Sequence, residues 1–147
     1  MHIEIPPELE QMRKVLRNFT QQELEPLAMQ VDRTGELPLA TLPLLAKHGY
    51  LSLRLPEAVG GAGMGLFPYC LMLEEFSRSH RIFALIAGAG GGLTPIAIAR
   101  HGTDAQRKKY LPGLMAGTLR TAFALTEPEA GSDNSAMKTR AEKTAAG

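Results

Sequence analysis

The sequence predicts a mainly α-helical fold of five to six helices, with the beginning of a β-region at its C-terminal end. Apolar residues recur at steps of three and four along most of the chain up to Met115, a spacing typical of helices that bury one face. After Gly117 the pattern changes to a short apolar run, Ala122 to Leu125, which indicates a buried strand. Pro128 and Gly131 then predict a tight turn.

Composition excludes several classes of function. The chain has 147 residues, enough for one domain with a hydrophobic core, and is 44% hydrophobic and 21% charged. A net charge of +1 gives no reason to expect nucleic-acid binding. The four histidines lack metal-ligand spacing, so we expect no metal site. The single cysteine, Cys70, cannot form an internal disulfide and favours a reducing compartment.

The N-terminus carries Glu4, Glu8 and Glu10 rather than a basic segment followed by an apolar one. We therefore expect a cytoplasmic protein, or one of the mitochondrial matrix if a transit segment has been removed. The charge-free run from Ile82 to Ala99 is long enough to span a bilayer, but glycines interrupt it. We expect a buried core helix there and no membrane span.

The predicted helices share an apolar face and end near glycine or proline. Pro26 has no N–H and should kink or interrupt the first helix, and Thr34-Gly35 should close it. We predict helices at Pro7–Met29, Pro38–His48, Leu66–Ser79, Arg81–Arg100 (in two pieces split at Gly90–Gly92) and Gln106–Met115, with Leu51–Leu55 as an extended connector or a strand.

In the third helix we expect Cys70, Leu73 and Phe76 on the buried face. Glu74 and Glu75 invite an acid–base interpretation, but adjacent helical residues point about 100° apart and cannot face one substrate together. We expect both carboxylates in solvent.

The glycine-rich stretch Pro56–Gly65 is superficially similar to a nucleotide-binding loop. Gly61, Gly63 and Gly65 do not have the GxGxxG spacing, and no Gly-Lys-Ser/Thr follows. We therefore expect a flexible or tightly turning loop and no Rossmann site.

In the later glycine break at Gly90–Gly92, small residues would allow either close helix packing or the approach of a ligand.

The stretch from Thr121 to Asp133 places Thr126, Ser132 and Asp133 around the predicted turn. Such polar groups can hold the edge of a flat ring and a phosphate, or simply bond to the backbone of an ordinary turn. Local chemistry leaves both interpretations open.

Three stretches, in this order, resemble the N-terminal part of the acyl-CoA dehydrogenase family, and the likeness runs from about Glu8 to the end of the chain. They are Pro56-Glu-Ala-Val-Gly-Gly-Ala-Gly63 with the downstream Glu74-Glu75, then Gly102-Thr-Asp-Ala-Gln-Arg-Lys-Lys-Tyr-Leu-Pro-Gly-Leu-Met-Ala-Gly117, and Ala124-Leu-Thr-Glu-Pro-Glu-Ala-Gly-Ser-Asp133.

The resemblance implies an N-terminal helical domain at residues 1–119 and the beginning of a middle β-domain at residues 120–147, with the C-terminal helical bundle absent. It implies a flavoenzyme that dehydrogenates an acyl-CoA thioester between its α and β carbons. The family's catalytic base is a glutamate of the missing bundle. We therefore expect no catalytic residue in this chain, and no activity from the chain alone.

The resemblance also implies a set of binding residues. Phe123 stands where the family often has tyrosine, so it keeps the aromatic ring and lacks the phenol hydroxyl. The implied FAD-binding residues are Phe123, Leu125 and Thr126 at the ring and Gly131 and Ser132 at the pyrophosphate, and those implied for acyl-CoA are Ser132, Leu93 and Thr94.

The resemblance further implies an electron-transfer flavoprotein as redox partner and a homo-oligomer for the complete enzyme. An acyl-CoA oxidase or a flavin monooxygenase of the same superfamily shares most of these motifs. An interpretation from another class is a stand-alone helical interaction module without catalysis.

Overall fold

The computed structural model describes residues 4–144, and for residues 89–91 it describes the backbone alone. It confirms a mainly helical fold. Within the described residues the α-helices are α1 (Pro7–Phe19), α2 (Glu25–Thr34), α3 (Thr41–Lys47), α4 (Leu66–Ser77), α5 (Arg81–Gly91), α6 (Leu93–His101) and α7 (Asp104–Met115).

The first two helices form one rod that a π-helical segment, Thr20–Leu24, interrupts. Pro26 lies at the start of α2 and cannot donate to the carbonyl one turn earlier, so the wider π-helical turn comes just before it. The predicted interruption is confirmed, and so is the predicted closure at Thr34-Gly35. Gly35, with φ of 67°, ends it in the left-handed conformation that glycine adopts without strain.

The core lies where α4 packs between α1 and α5. An aromatic cluster occupies its centre: the ring centroids of Phe19 and Tyr50 are 4.9 Å apart, and those of Tyr50 and Phe76 are 5.2 Å apart in an edge-to-face arrangement. Phe83 of α5 and Met72 of α4 are fully buried beside them. These contacts hold α4 and α5 together, and the surface between these two helices forms a groove.

The predicted buried face of α4 was wrong. Cys70 is exposed and Leu73 only half-buried, whereas Leu71 and Met72 are buried together with Phe76. Two neighbouring helices cover α4, so its buried face is broader than a single stripe at steps of three.

The segment Leu51–Leu55 forms successive turns rather than a strand or an extended connector. Its three leucines are all buried, and the glycine-rich loop folds back on it through hydrogen bonds from the Ala62 N–H to the Ser52 carbonyl and from the Met64 N–H to the Leu53 carbonyl. A β-carbon on Gly61 would lie 2.0 Å from the carbonyl oxygen of Leu55, so glycine is required there. The loop is tightly turning, one of the two predicted forms.

The break between α5 and α6 falls at Gly92, within the predicted split. By length and composition alone, Arg81–His101 could cross a membrane, with 21 residues and a mean hydropathy of 1.9. Core helices of soluble proteins have the same properties. Here Phe83 and Ala87 of this stretch are buried in the core, and the lack of a membrane span stays a prediction.

Helix α7 begins with a capping box. The Gln106 N–H donates to the Thr103 hydroxyl at 3.2 Å, and the Thr103 N–H donates to the Gln106 side chain at 2.8 Å. The predicted helix end at Gly117 is confirmed by its φ of 69°.

The predicted strand at Ala122–Leu125 is absent. This segment has no regular secondary structure and its residues are exposed. The nearest β-type pairing within the described residues is an isolated bridge between Glu127 and Ala130. A single strand has no partner for its backbone groups and no surface to cover it, which explains the difference. The domain boundary after residue 119 stays a prediction.

Candidate functional site

A groove of about 710 Å³ runs along the surface between α4 and α5. Its walls are mainly apolar, with Leu73 on one side and Ala84 and Leu85 on the other. Leu93, the first residue of α6, and Phe123 also line it. The fold therefore brings two predicted binding residues to one groove. The resemblance assigns Leu93 to acyl-CoA and Phe123 to the flavin ring.

The glycine break shapes one part of this groove. Gly88 and Gly92 line it, and the Tyr69 hydroxyl donates to the Gly88 carbonyl at 3.2 Å. A β-carbon on Gly92 would lie 1.9 Å from the Gly88 oxygen and 2.7 Å from the Tyr69 hydroxyl. The small residues thus serve close packing of α5 against α4, one of the two interpretations of the break. The approach of a ligand there stays a prediction.

Tyr69 forms part of the groove floor and is 7% exposed. Burial raises the pKa of its phenol, which keeps the hydroxyl neutral and able to donate at neutral pH. The guanidinium of Arg54 lies over its ring, with Cζ 4.9 Å from the ring centroid.

The segment before the turn presents unused binding groups. The side chains of Phe123 and Leu125 are 62% and 37% exposed, and Thr126 is exposed beside them. In the described part of the chain, no hydrogen bond engages the backbone of residues 121–126. Free backbone donors and acceptors next to apolar side chains fit the polar edge and apolar face of a flavin ring.

The turn itself is closed by Glu127. Its carboxylate accepts from the backbone N–H groups of Lys138 at 2.8 Å and Thr139 at 2.9 Å, and from the Thr139 hydroxyl. These hydrogen bonds, the Thr139 hydroxyl first, lower the pKa of Glu127. Sequence reasoning did not foresee that Glu127 would bind the chain eleven and twelve residues later.

Asp133 closes the other end of the predicted turn. It accepts from the backbone N–H of Ser135 at 3.0 Å and from the Ser135 hydroxyl, which lower its pKa. Gly131 and Ser132 are exposed between Glu127 and Asp133, and a β-carbon added to Gly131 would meet no atom within 4 Å beyond its chain neighbours. An exposed backbone with adjacent hydroxyl groups is suitable for a phosphate group.

The residues predicted to bind FAD or acyl-CoA do not all line the groove between α4 and α5. Leu93 and Phe123 share the groove, whereas Leu125, Thr126, Gly131 and Ser132 lie outside its lining, and Thr94 is half-buried in α6 without lining it. The roles assigned to all seven residues stay predictions.

Sequence reasoning missed a buried ion pair between α1 and α4. Glu75 is 0% exposed, and its two oxygens accept from Arg17 Nε at 3.0 Å and Nη2 at 2.8 Å. This bidentate contact raises the pKa of Arg17, first through the hydrogen bond and then through the charge of Glu75. Arg13 and Arg78 lie 3.7 Å from the same carboxylate. The expectation that Glu75 is solvated was wrong, because α1 covers it.

Comparison with known proteins now identifies the family. Residues 6–118 match the model described as "Acyl-CoA dehydrogenase, N-terminal domain". The chain belongs to the acyl-CoA dehydrogenase family. It is 37% identical over 138 residues to the mitochondrial isovaleryl-CoA dehydrogenase of Pongo abelii, which covers 92% of this chain and 33% of the relative. It is 34% identical over 131 residues to the Caffeyl-CoA reductase-Etf complex subunit CarC of Acetobacterium woodii, covering 88% of this chain and 35% of the relative.

A solved structure agrees. Glutaryl-CoA dehydrogenase from Mycobacterium smegmatis superposes with a TM-score of 0.85 at 30% identity, over 96% of this chain and 36% of that one. The chain spans about a third of the length of the relatives it matches. The activities, substrates and partners of these relatives belong to proteins of that greater length.

Proposed function

We propose that the complete protein carrying this sequence oxidises an acyl-CoA thioester between its α and β carbons, with FAD as cofactor, and that this chain supplies part of the binding site. The convergence of Leu93 and Phe123 on one apolar groove carries the proposal. An apolar groove with a few polar groups at its margin is suited to an acyl chain.

Within this chain, Phe123, Leu125 and Thr126 would hold the flavin ring, and Gly131 and Ser132 would meet its pyrophosphate. The exposed side chains, free backbone groups and open space around Gly131 support this assignment. When bound, the flavin supplies the acceptor for the hydride that leaves the β carbon.

No carboxylate is among the described residues that line the groove, so we propose no base for the α-proton there. Glu127 is held by three hydrogen bonds that lower its pKa, and a carboxylate stabilised in this way is a weak base. Glu75 is buried and bound to Arg17, away from the groove lining. We therefore place the base in a region of the complete protein outside this chain.

We further propose an electron-transfer flavoprotein as redox partner, a homo-oligomeric assembly, and a location in the cytoplasm or the mitochondrial matrix. Membership of the family and a relative named as part of an Etf complex support the redox partner. A relative named as mitochondrial makes the matrix a reasonable alternative.

The decisive experiment mixes the complete protein, loaded with FAD, with acyl-CoA under anaerobic conditions and follows the visible flavin absorbance. Loss of the oxidised band together with formation of the 2-enoyl thioester supports the proposal. Unchanged absorbance across an acyl-chain series contradicts it. Rapid hydrogen peroxide formation in air would instead identify an oxidase, and an oxygenated product a monooxygenase.

A parallel measurement uses the 147-residue chain alone. We expect it to be colourless after purification with added FAD and inactive with an artificial electron acceptor, because it holds only part of the site. Stoichiometric flavin binding by this chain would exclude the inert interaction module, and turnover would place the base within it.

A further inference from the structure

The groove between α4 and α5 contains a cationic group that an unsubstituted acyl chain would not use. Arg54 lines the groove beside Tyr69, whereas none of the described lining residues is acidic. The described residues also place no carboxylate within ion-pair distance of Arg54.

Arg54 is held in position before any ligand binds. Its neighbours Leu53 and Leu55 are 7% and 0% exposed, which fixes the backbone on both sides of it. Its guanidinium lies over the ring of Tyr69, and the Tyr69 hydroxyl is fixed in turn by the Gly88 carbonyl. A half-buried arginine fixed in this way loses little side-chain entropy on binding a ligand.

The balance of interactions favours an anionic ligand group. An apolar chain packed against Arg54 would remove water from the guanidinium and give no hydrogen bond in return, which is unfavourable. A carboxylate would accept from the guanidinium, and its charge would be matched. Arg81, which also lines the groove, adds to the positive potential there.

We propose that Arg54 selects acyl thioesters whose acyl group carries a second, distal carboxylate. This inference rests on the proposed function and names the substrate class for the same groove. Leu73, Leu85 and Leu93 would contact the methylene groups, while Arg54 binds the carboxylate next to the ring of Tyr69.

The test uses the complete protein with FAD and two thioesters of equal chain length, one ending in a methyl group and one in a carboxylate. We expect kcat/KM to be about tenfold higher for the carboxylate, the lower end of what a charged hydrogen bond provides at a partly exposed site. In Arg54→Leu we expect kcat/KM to fall for the carboxylate substrate and to rise for the methyl substrate, because the guanidinium no longer loses water to an apolar chain, so the preference disappears. Arg54→Lys keeps part of the preference, and Arg100→Leu, a change at an exposed arginine outside the groove, leaves it unaltered.

The phosphates of coenzyme A are a second anion that Arg54 could bind, so each thioester is also prepared on N-acetylcysteamine, which has no phosphate. Retention of the carboxylate preference in this series supports the proposal. The proposal is overturned if Arg54→Leu lowers kcat/KM only for the coenzyme A esters, if it lowers both substrates equally, or if the wild type prefers the methyl ester. Absence of flavin reduction by every thioester would instead count against the proposed function itself.

Discussion

Gly92 allows the most specific test of the break between α5 and α6, because a β-carbon added there would lie too close to two other groups. In Gly92→Ala the new methyl group would lie 1.9 Å from the Gly88 carbonyl oxygen and 2.7 Å from the Tyr69 hydroxyl. The first contact is with backbone, which cannot rotate away as a side chain can.

We expect Gly92→Ala to lower the free energy of unfolding by about 1–3 kcal/mol, the usual cost of overpacking. For a chain of this size that corresponds to a Tm lower by roughly 3–10 °C. Thermal unfolding followed by circular dichroism measures the change. Gly65→Ser is the matched control, since it places a β-carbon in open space at the N-cap of α4, where serine is favoured. A Gly92→Ala protein as stable as the wild type would refute the close packing at the break.

Two further predictions concern the glutamates that hold separate parts of the chain together. Glu75→Gln leaves Arg17 facing a buried neutral group, so we expect a Tm lower by roughly 5–10 °C in thermal melts, whereas exposed Glu74→Gln changes it little. Because the folded pKa of Glu127 is lowered, its stabilisation of the turn is present above the ordinary glutamate pKa and is lost as pH falls through the lower folded value. The protection of the Thr139 amide, measured as its exchange rate relative to the intrinsic rate at the same pH, should therefore fall below about pH 4. In Glu127→Gln this protection should already be low at neutral pH, with no further step on acidification.

The sequence was most informative where local chemistry decides the structure. Pro26 interrupts the first rod, because the missing N–H acts within one helical turn. The glycine break was placed correctly as well, since consecutive glycines weaken a helix through their own backbone freedom.

Tertiary contacts decided the features that sequence reasoning missed. Glu74 and Glu75 look alike in sequence, and only the position of α1 buries the second of them against Arg17. Arg13 and Arg17, one turn apart on α1, are a signal that could have indicated a carboxylate partner on a neighbouring helix. The predicted strand at Ala122–Leu125 depends on partner strands, which the described residues do not provide.

The candidate site was predicted in part. Leu93 and Phe123 came from the family resemblance, and the fold places both on one groove. Tyr69 and Arg54 were not foreseen, because a tyrosine on an apolar helix and an arginine between buried leucines carry no local sign of a groove. Their roles depend on how α4 and the turns at Leu51–Leu55 pack together.

The most direct test of the central claim is a crystal structure of the complete protein with FAD and a non-reactive acyl-CoA thioether. We predict that the acyl group lies between α4 and α5 in contact with Leu93, and that the flavin ring contacts Phe123 and Thr126. An acyl group bound elsewhere, with this groove filled by the protein's own side chains, would contradict the account.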